Sequence, residues 1–206
     1  MLGKHKNKFA PLCPTIPPLV LYREGKHADC DKELAALEQN SKEAYALAGI
    51  KFTRALLADD SRAELALLDS AVAFLGRPQH EMAESERRVQ LSAVLSERVR
   101  ILSAAGNSAG AAAAARQIQA MAERHRDQAI EANSHTAQGY VLFVRGKFAD
   151  AAQEFSNNPQ SPLAVRQQAL ALEKSGNAAG ASAVRNRLRF LRAPTAEWLV
   201  ATRPSS

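Results

Sequence analysis

Gly146-Lys147-Phe148-Ala149-Asp150-Ala151 is one of four gapless copies of a six-residue pattern. The others are Gly25-Lys26-His27-Ala28-Asp29-Cys30, Gly106-Asn107-Ser108-Ala109-Gly110-Ala111 and Gly176-Asn177-Ala178-Ala179-Gly180-Ala181. A degraded fifth copy is Asp60-Ser61-Arg62-Ala63-Glu64-Leu65. Each copy follows one amphipathic stretch and precedes another, which predicts a helix–turn–helix. Glycine just past a helix end takes the left-handed backbone conformation that other residues resist. The Asp of some copies falls in the first turn of the next helix, where the helix dipole favours a carboxylate. The small residue at the sixth position belongs where two helices cross, because a larger one would push them apart.

Composition points the same way. Of the 206 residues 46% are hydrophobic but only 5% aromatic, and alanine is abundant. That balance suits thin layers of closely approaching helices, and alanine is the best intrinsic helix former. No stretch alternates apolar and polar residues over strand length. The fold class is all-α. Two cysteines, Cys13 and Cys30, are too few for a disulfide framework. No run approaches the roughly 18 apolar residues of a membrane span, and Pro11, Pro14, Pro17 and Pro18 interrupt any signal-peptide core. The chain as written reads as cytoplasmic, or as periplasmic should a leader sequence lie upstream of it.

The turn glycines and the residues around them resemble the tetratricopeptide repeat family. The third copy carries the resemblance best, with Gly139, Gly146, Phe148, Ala151 and Phe155 at the family's spacing and Pro159 closing the unit. The fourth keeps Ala169, Gly176 and Ala181 but has Ala178 and Arg185 at bulky positions, the first keeps Gly25 and Leu34, and the second keeps Ala111. Successive glycines of the last three copies stand 40 and 30 residues apart, not at one fixed period. The resemblance implies helix-hairpin repeats stacked as a short right-handed α-solenoid, similar to bacterial tetratricopeptide proteins that end in a capping helix. Here that helix is Thr195-Ala196-Glu197-Trp198-Leu199-Val200, with Trp198 covering the last apolar face.

The periodicity predicts helices over 17–24, 28–39, 41–57, 62–75, 81–104, 108–131, 135–145, 148–157, 161–174, 178–191 and 195–202. Three segments follow: a flexible basic tail, 1–14; degenerate hairpins, 15–76; and a long central hairpin with further hairpins and the cap, 81–206. In the central hairpin Val89, Leu91, Val94, Leu95, Val99 and Leu102 face Ala112, Ala115, Ile118 and Met121. Arg77-Pro78-Gln79 is the expected hinge between the halves, and Asn157-Asn158-Pro159-Gln160-Ser161-Pro162 a tight turn between hairpins.

Nothing in the sequence asks for catalysis, and no cofactor is expected. No zinc-site spacing occurs; His27 and Cys30 share a helical face, but Cys30 reads as a small interior residue. His125-Arg126-Asp127 copies three letters of the kinase catalytic loop, yet falls inside a predicted helix with no glycine-rich phosphate loop in the chain. The expectation is a scaffold that binds a protein or peptide. The family's inward positions imply Arg100, Tyr140, Arg166 and Lys174 as partner contacts, suited to an acidic peptide through charge-assisted hydrogen bonds.

Net charge is +6, with Lys4, Lys6 and Lys8 in the tail and Arg185, Arg187, Arg189 and Arg192 crowding one helix. The alternative is therefore nucleic acid or another polyanion on the tail and that helix, with Phe190 available for stacking. A further expectation is self-association through an uncapped face around Ile16, Leu19 and Leu21.

Overall fold

A computed structural model describes residues 15–78, 82–191 and 195–203. Among them are eleven α-helices and no strand: α1 Ile16–Arg23, α2 His27–Asn40, α3 Ala44–Leu57, α4 Ser61–Leu75, α5 Glu84–Ala104, α6 Ser108–His125, α7 Gln128–Val144, α8 Phe148–Ser156, α9 Pro162–Lys174, α10 Ala178–Phe190 and α11 Ala196–Ala201. Consecutive helices pack against each other from α1 through α10, and α7 also lies along α5. The basic tail 1–14, the Gln79 end of the expected hinge and Arg192 lie outside the described residues.

The four repeated turns have one geometry. Gly25, Gly106, Gly146 and Gly176 have φ between 74° and 85°. The N–H after each glycine donates to a carbonyl five residues back: Lys26 to Leu21, Asn107 to Leu102, Lys147 to Leu142 and Asn177 to Leu172, at 2.8–3.0 Å. This is the Schellman ending of a helix, which needs a left-handed residue at that point. A leucine stands four residues before the glycine in every copy, a regularity that extends the six-residue pattern backward. The sixth residue of each copy, Cys30, Ala111, Ala151 and Ala181, is buried where the helices cross. In the two Asn copies the Asn side chain accepts the N–H of Gly110 or Gly180 at 2.9 Å and so caps the new helix.

One expected boundary moves. The break predicted between 131 and 135 lies at Arg126, which has φ 49°, and α7 begins behind Asp127. The Asp127 carboxylate accepts the N–H groups of Ala129 and Ile130 at 2.9 and 3.3 Å, a strong N-terminal cap. His125-Arg126-Asp127 is thus a helix junction, not the helix interior. The "long" hairpin loses six residues from its second helix, since α6 ends at 125 rather than 131, and α7 begins at 128 rather than 135. Of the expected facing residues on α6, Ala115 and Ile118 are buried, whereas Ala112 and Met121 are only half-buried and Ala111, Ala114 and Ala122 do the rest.

Helix α5 is the centre of the molecule. It packs against α4, α6 and α7, so its buried residues include Ser92, Ser96 and Glu97 as well as Leu91, Val94, Leu95, Val99 and Leu102. One hydrophobic core runs from Ala48 on α3 to Ala171 on α9, with Leu75 of α4 and Leu91 of α5 both in it. Its tightest point is Gly139, where a Cβ would lie 2.7 Å from the ring of the fully buried Phe155.

Helix α11 does more than cover the last hairpin. It packs against α9 and also against α3, near the other end of the chain. Ala196 and Ala201 are its buried anchors, sharing a cluster with Leu19, Leu56, Leu163, Val165 and Leu188. Trp198 is half-buried, and its N–H is donated by the backbone to the Thr195 hydroxyl at 3.2 Å. Leu19 is consequently interior, not part of a free N-terminal face; Ile16 and Val20 are the exposed apolar residues there. No helix among the described residues is long and apolar enough to cross a membrane.

Candidate functional site

Two features lie side by side on the surface crossed by α11: a buried cluster of charged groups and a cavity. The cluster centres on Glu97 of α5, whose side chain is only 4% exposed. Its carboxylate accepts from Arg100 Nε at 2.6 Å and from the Tyr140 hydroxyl of α7 at 3.0 Å. Arg100 also pairs with Glu64 of α4. The guanidinium thereby joins α4 to α5, its five donors allowing two carboxylates to be held at once, and the Glu97 carboxylate joins α7 to α5.

The electrostatics follow from burial. Burial pushes the Tyr140 hydroxyl well above its usual range, and Glu97 pushes it further. Burial pulls the other way on Arg100, but Glu97, Tyr140 and Glu64 outweigh it and hold the guanidinium charged. Glu64 must share Arg100 with Glu97; burial lifts its pKa to about 7, and Glu97 adds to the lift while Arg100 opposes it. Glu197 of α11 belongs to the same field. Burial, then the Glu97 carboxylate, pushes it up to about 7.

The cavity exists because α3 and α5 barely touch, although α4 packs on both. The gap is closed by α1 and by the start of α11, leaving a space of about 480 Å³ lined mainly by apolar groups. That size lies within the usual range for small-molecule pockets. Leu19, Ile50, Phe52 and Leu56 supply much of the wall, and Gly49 and Glu197 also line it.

The expected contacts fare as follows. Arg100 and Tyr140 are brought together, but as two members of the Glu97 cluster; Tyr140 is 4% exposed. Arg166 donates from Nη1 to the Val200 carbonyl at 3.0 Å, so it is spent on α11. Lys174 lies apart, with its ammonium 5.7 Å from the centre of the Phe148 ring, a cation–π distance. Glu64, Glu97 and Glu197 were not expected. Glu97 and Arg100 at i,i+3 look like the ordinary dress of an exposed helix, and only the burial of α5 on several sides makes them a core cluster.

The arginine-rich helix is partly committed as well. Arg185 pairs with Glu173, and Arg187 donates to Gln168 at 3.0 Å, both on α9. Phe190 is 78% exposed beside the exposed Arg189. Cys30 is 1% exposed, and burial, with Asp31 and Glu33, pushes its thiol up to about 11; the His27 ring stacks on Tyr22 at 4.4 Å. Among the described residues no group of three or more His, Cys, Asp or Glu is placed to hold a metal ion.

No protein-family model matches this chain. No curated protein and no solved structure matches it either. The all-helical architecture of sequentially paired helices is established by the geometry alone.

Proposed function

We propose that this chain is a tetratricopeptide-like helical-repeat scaffold, a right-handed stack of hairpins that holds a protein or peptide partner across the face where α11 now lies. The observation that carries the reading is α11 itself. A six-residue helix docks against α3 and α9, with Arg166 donating to its Val200 carbonyl. A surface that receives one short helix has the apolar patches and the polar anchor to receive another. The repeat resemblance adds support, since the left-handed glycines, the buried small residues and the close Gly139–Phe155 packing are what the family's spacing implies. In this reading the protein binds and positions, and no catalytic step is assigned to it.

The test is a nuclease-treated pull-down from native lysate at low and high salt, with the bound proteins identified by mass spectrometry. A small set surviving nuclease and salt, and lost with the double variant Arg166→Ala, Lys174→Ala at unchanged helicity, is the expected result. Retention of that set by the double variant would remove these residues as contacts. A second reading has one observation in its favour: Phe190 is almost fully exposed beside Arg189, a stacking ring next to a cation. Recovery only without nuclease and only at low salt would establish that reading and defeat the first.

A further inference from the structure

Glycine inside a helix is less stable than alanine, so its presence calls for a reason. At Gly139 the reason is Phe155, which fills the space a side chain would take. Gly49, inside α3, has no such reason: a Cβ built there meets nothing within 4 Å. What it faces is the cavity between α3, α5 and α11. Gly49 is itself exposed and borders that space without a side chain to narrow it.

Charge then narrows what the space would take. The ionisable side chains lining it are Glu43, Tyr45 and Glu197, and no lysine or arginine lines it among the described residues, in a chain of net charge +6. Glu43 is exposed. Glu197 is half-buried and has no hydrogen-bond or ion-pair partner among the described residues. Arg100, the cation of the adjoining cluster, is held by Glu97 and Glu64. Such a carboxylate against apolar walls is destabilised in its charged form, and a cation placed beside it removes the cost.

We propose that this cavity binds a small amphiphilic amine, its apolar body against Leu19, Ile50, Phe52 and Leu56 and its protonated nitrogen paired with Glu197. An anionic amphiphile would meet Glu197 and Glu43 with like charge. A neutral one would fill the apolar space and leave the carboxylate without a counter-ion. The preference runs opposite to the acidic peptide implied by the repeat resemblance, because the arginines that suggested it are committed elsewhere. The site does not depend on the scaffold reading, since its ligand is a small molecule and its walls include α11 in place.

The experiment is an NMR titration of the full chain with hexylamine, hexanol and hexanoate, which share an apolar body and differ in charge. Hexylamine should bind about tenfold more tightly than hexanol, as one charge-assisted hydrogen bond would give, and hexanoate most weakly. Glu197→Gln keeps the shape of the side chain and should erase the amine's advantage while hexanol still binds. Gly49→Leu should block all three, with circular dichroism confirming native helicity; if that variant fails to fold, Glu197→Gln decides the matter. Equal affinity for hexylamine and hexanol, an amine preference that survives Glu197→Gln, or binding of none of the three would overturn the proposal.

Discussion

Gly139→Ala should destabilise the protein although it replaces the poorest ordinary helix former with the best. In an unpacked helix the exchange would stabilise by about 1 kcal/mol. Here the new methyl would lie 2.7 Å from Phe155 Cε1, 2.8 Å from Cδ1 and 3.0 Å from Cζ. Carbon atoms prefer about 3.5–4.0 Å, so the ring would have to retreat by most of an ångström. It has no room to do so: Phe155 is fully buried and edge-on to Tyr140 at 5.1 Å, and Tyr140 is held by Glu97. Overpacking of this kind costs about 1–3 kcal/mol, and a clash with an immobile ring belongs at the upper end, leaving a net loss of about 1–2 kcal/mol. Urea denaturation followed by circular dichroism would measure it. The diagnostic comparison is the same substitution in a Phe155→Leu background, where the methyl has space and should be neutral or stabilising. Gly49→Ala is the control, expected to stabilise by about 0.5–1 kcal/mol because its methyl meets nothing. Stabilisation by Gly139→Ala in the native background, or an equal cost in both, would refute the packing argument.

Two further outcomes follow from the same geometry. Glu64 and Glu197 are both raised from 4.5 to about 7 in the folded chain, so between those values the folded state holds more protons than the unfolded one. Their contribution is complete below about pH 4.5 and is lost as pH rises through 7, on the order of 1–3 kcal/mol for each group; the melting temperature should fall between pH 5.5 and 8 by roughly the few degrees such a loss implies, and Glu197→Gln should flatten the slope. Glu38, which Lys51 and Arg54 draw down against its burial, works in the opposite direction only at lower pH. Gly146→Ala, at φ 74° with open space around it, should cost about 1–2 kcal/mol from backbone strain alone, and urea midpoints would show it.

The sequence exposes the turns because they are local. A left-handed glycine, a leucine four residues earlier and a small residue five later are all set within one stretch of chain, and all four copies form as their spacing predicts. The junction at Arg126 hides for the converse reason. It has a left-handed backbone without glycine, and its signal is the single cap Asp127, which sits between two alanine-rich helical patterns. The Glu97 cluster hides because charge at helical spacing carries no mark of burial; three separate helices must cover α5 before Glu97 becomes interior. Arg166, expected as a partner contact, donates its hydrogen bond to the chain's own C-terminal helix. The cavity is the least legible feature, for it comes from two helices, α3 and α5, that barely touch.

A stack of hairpins in which each unit touches only its neighbours can start folding anywhere and fray from either end. The contact of α11 with α3 removes that freedom, since it joins segments separated by more than a hundred residues, from Leu57 to Ala196. The loop it closes is about two thirds of the chain, and its entropy is lost only when the intervening hairpins are already in line. Closure by α11 is therefore the expected last step of folding and opening there the first step of unfolding. The two ends that would otherwise loosen independently would report on one another: a substitution on α3 that weakens the seat of α11 should speed hydrogen exchange in α9, and the reverse should hold as well.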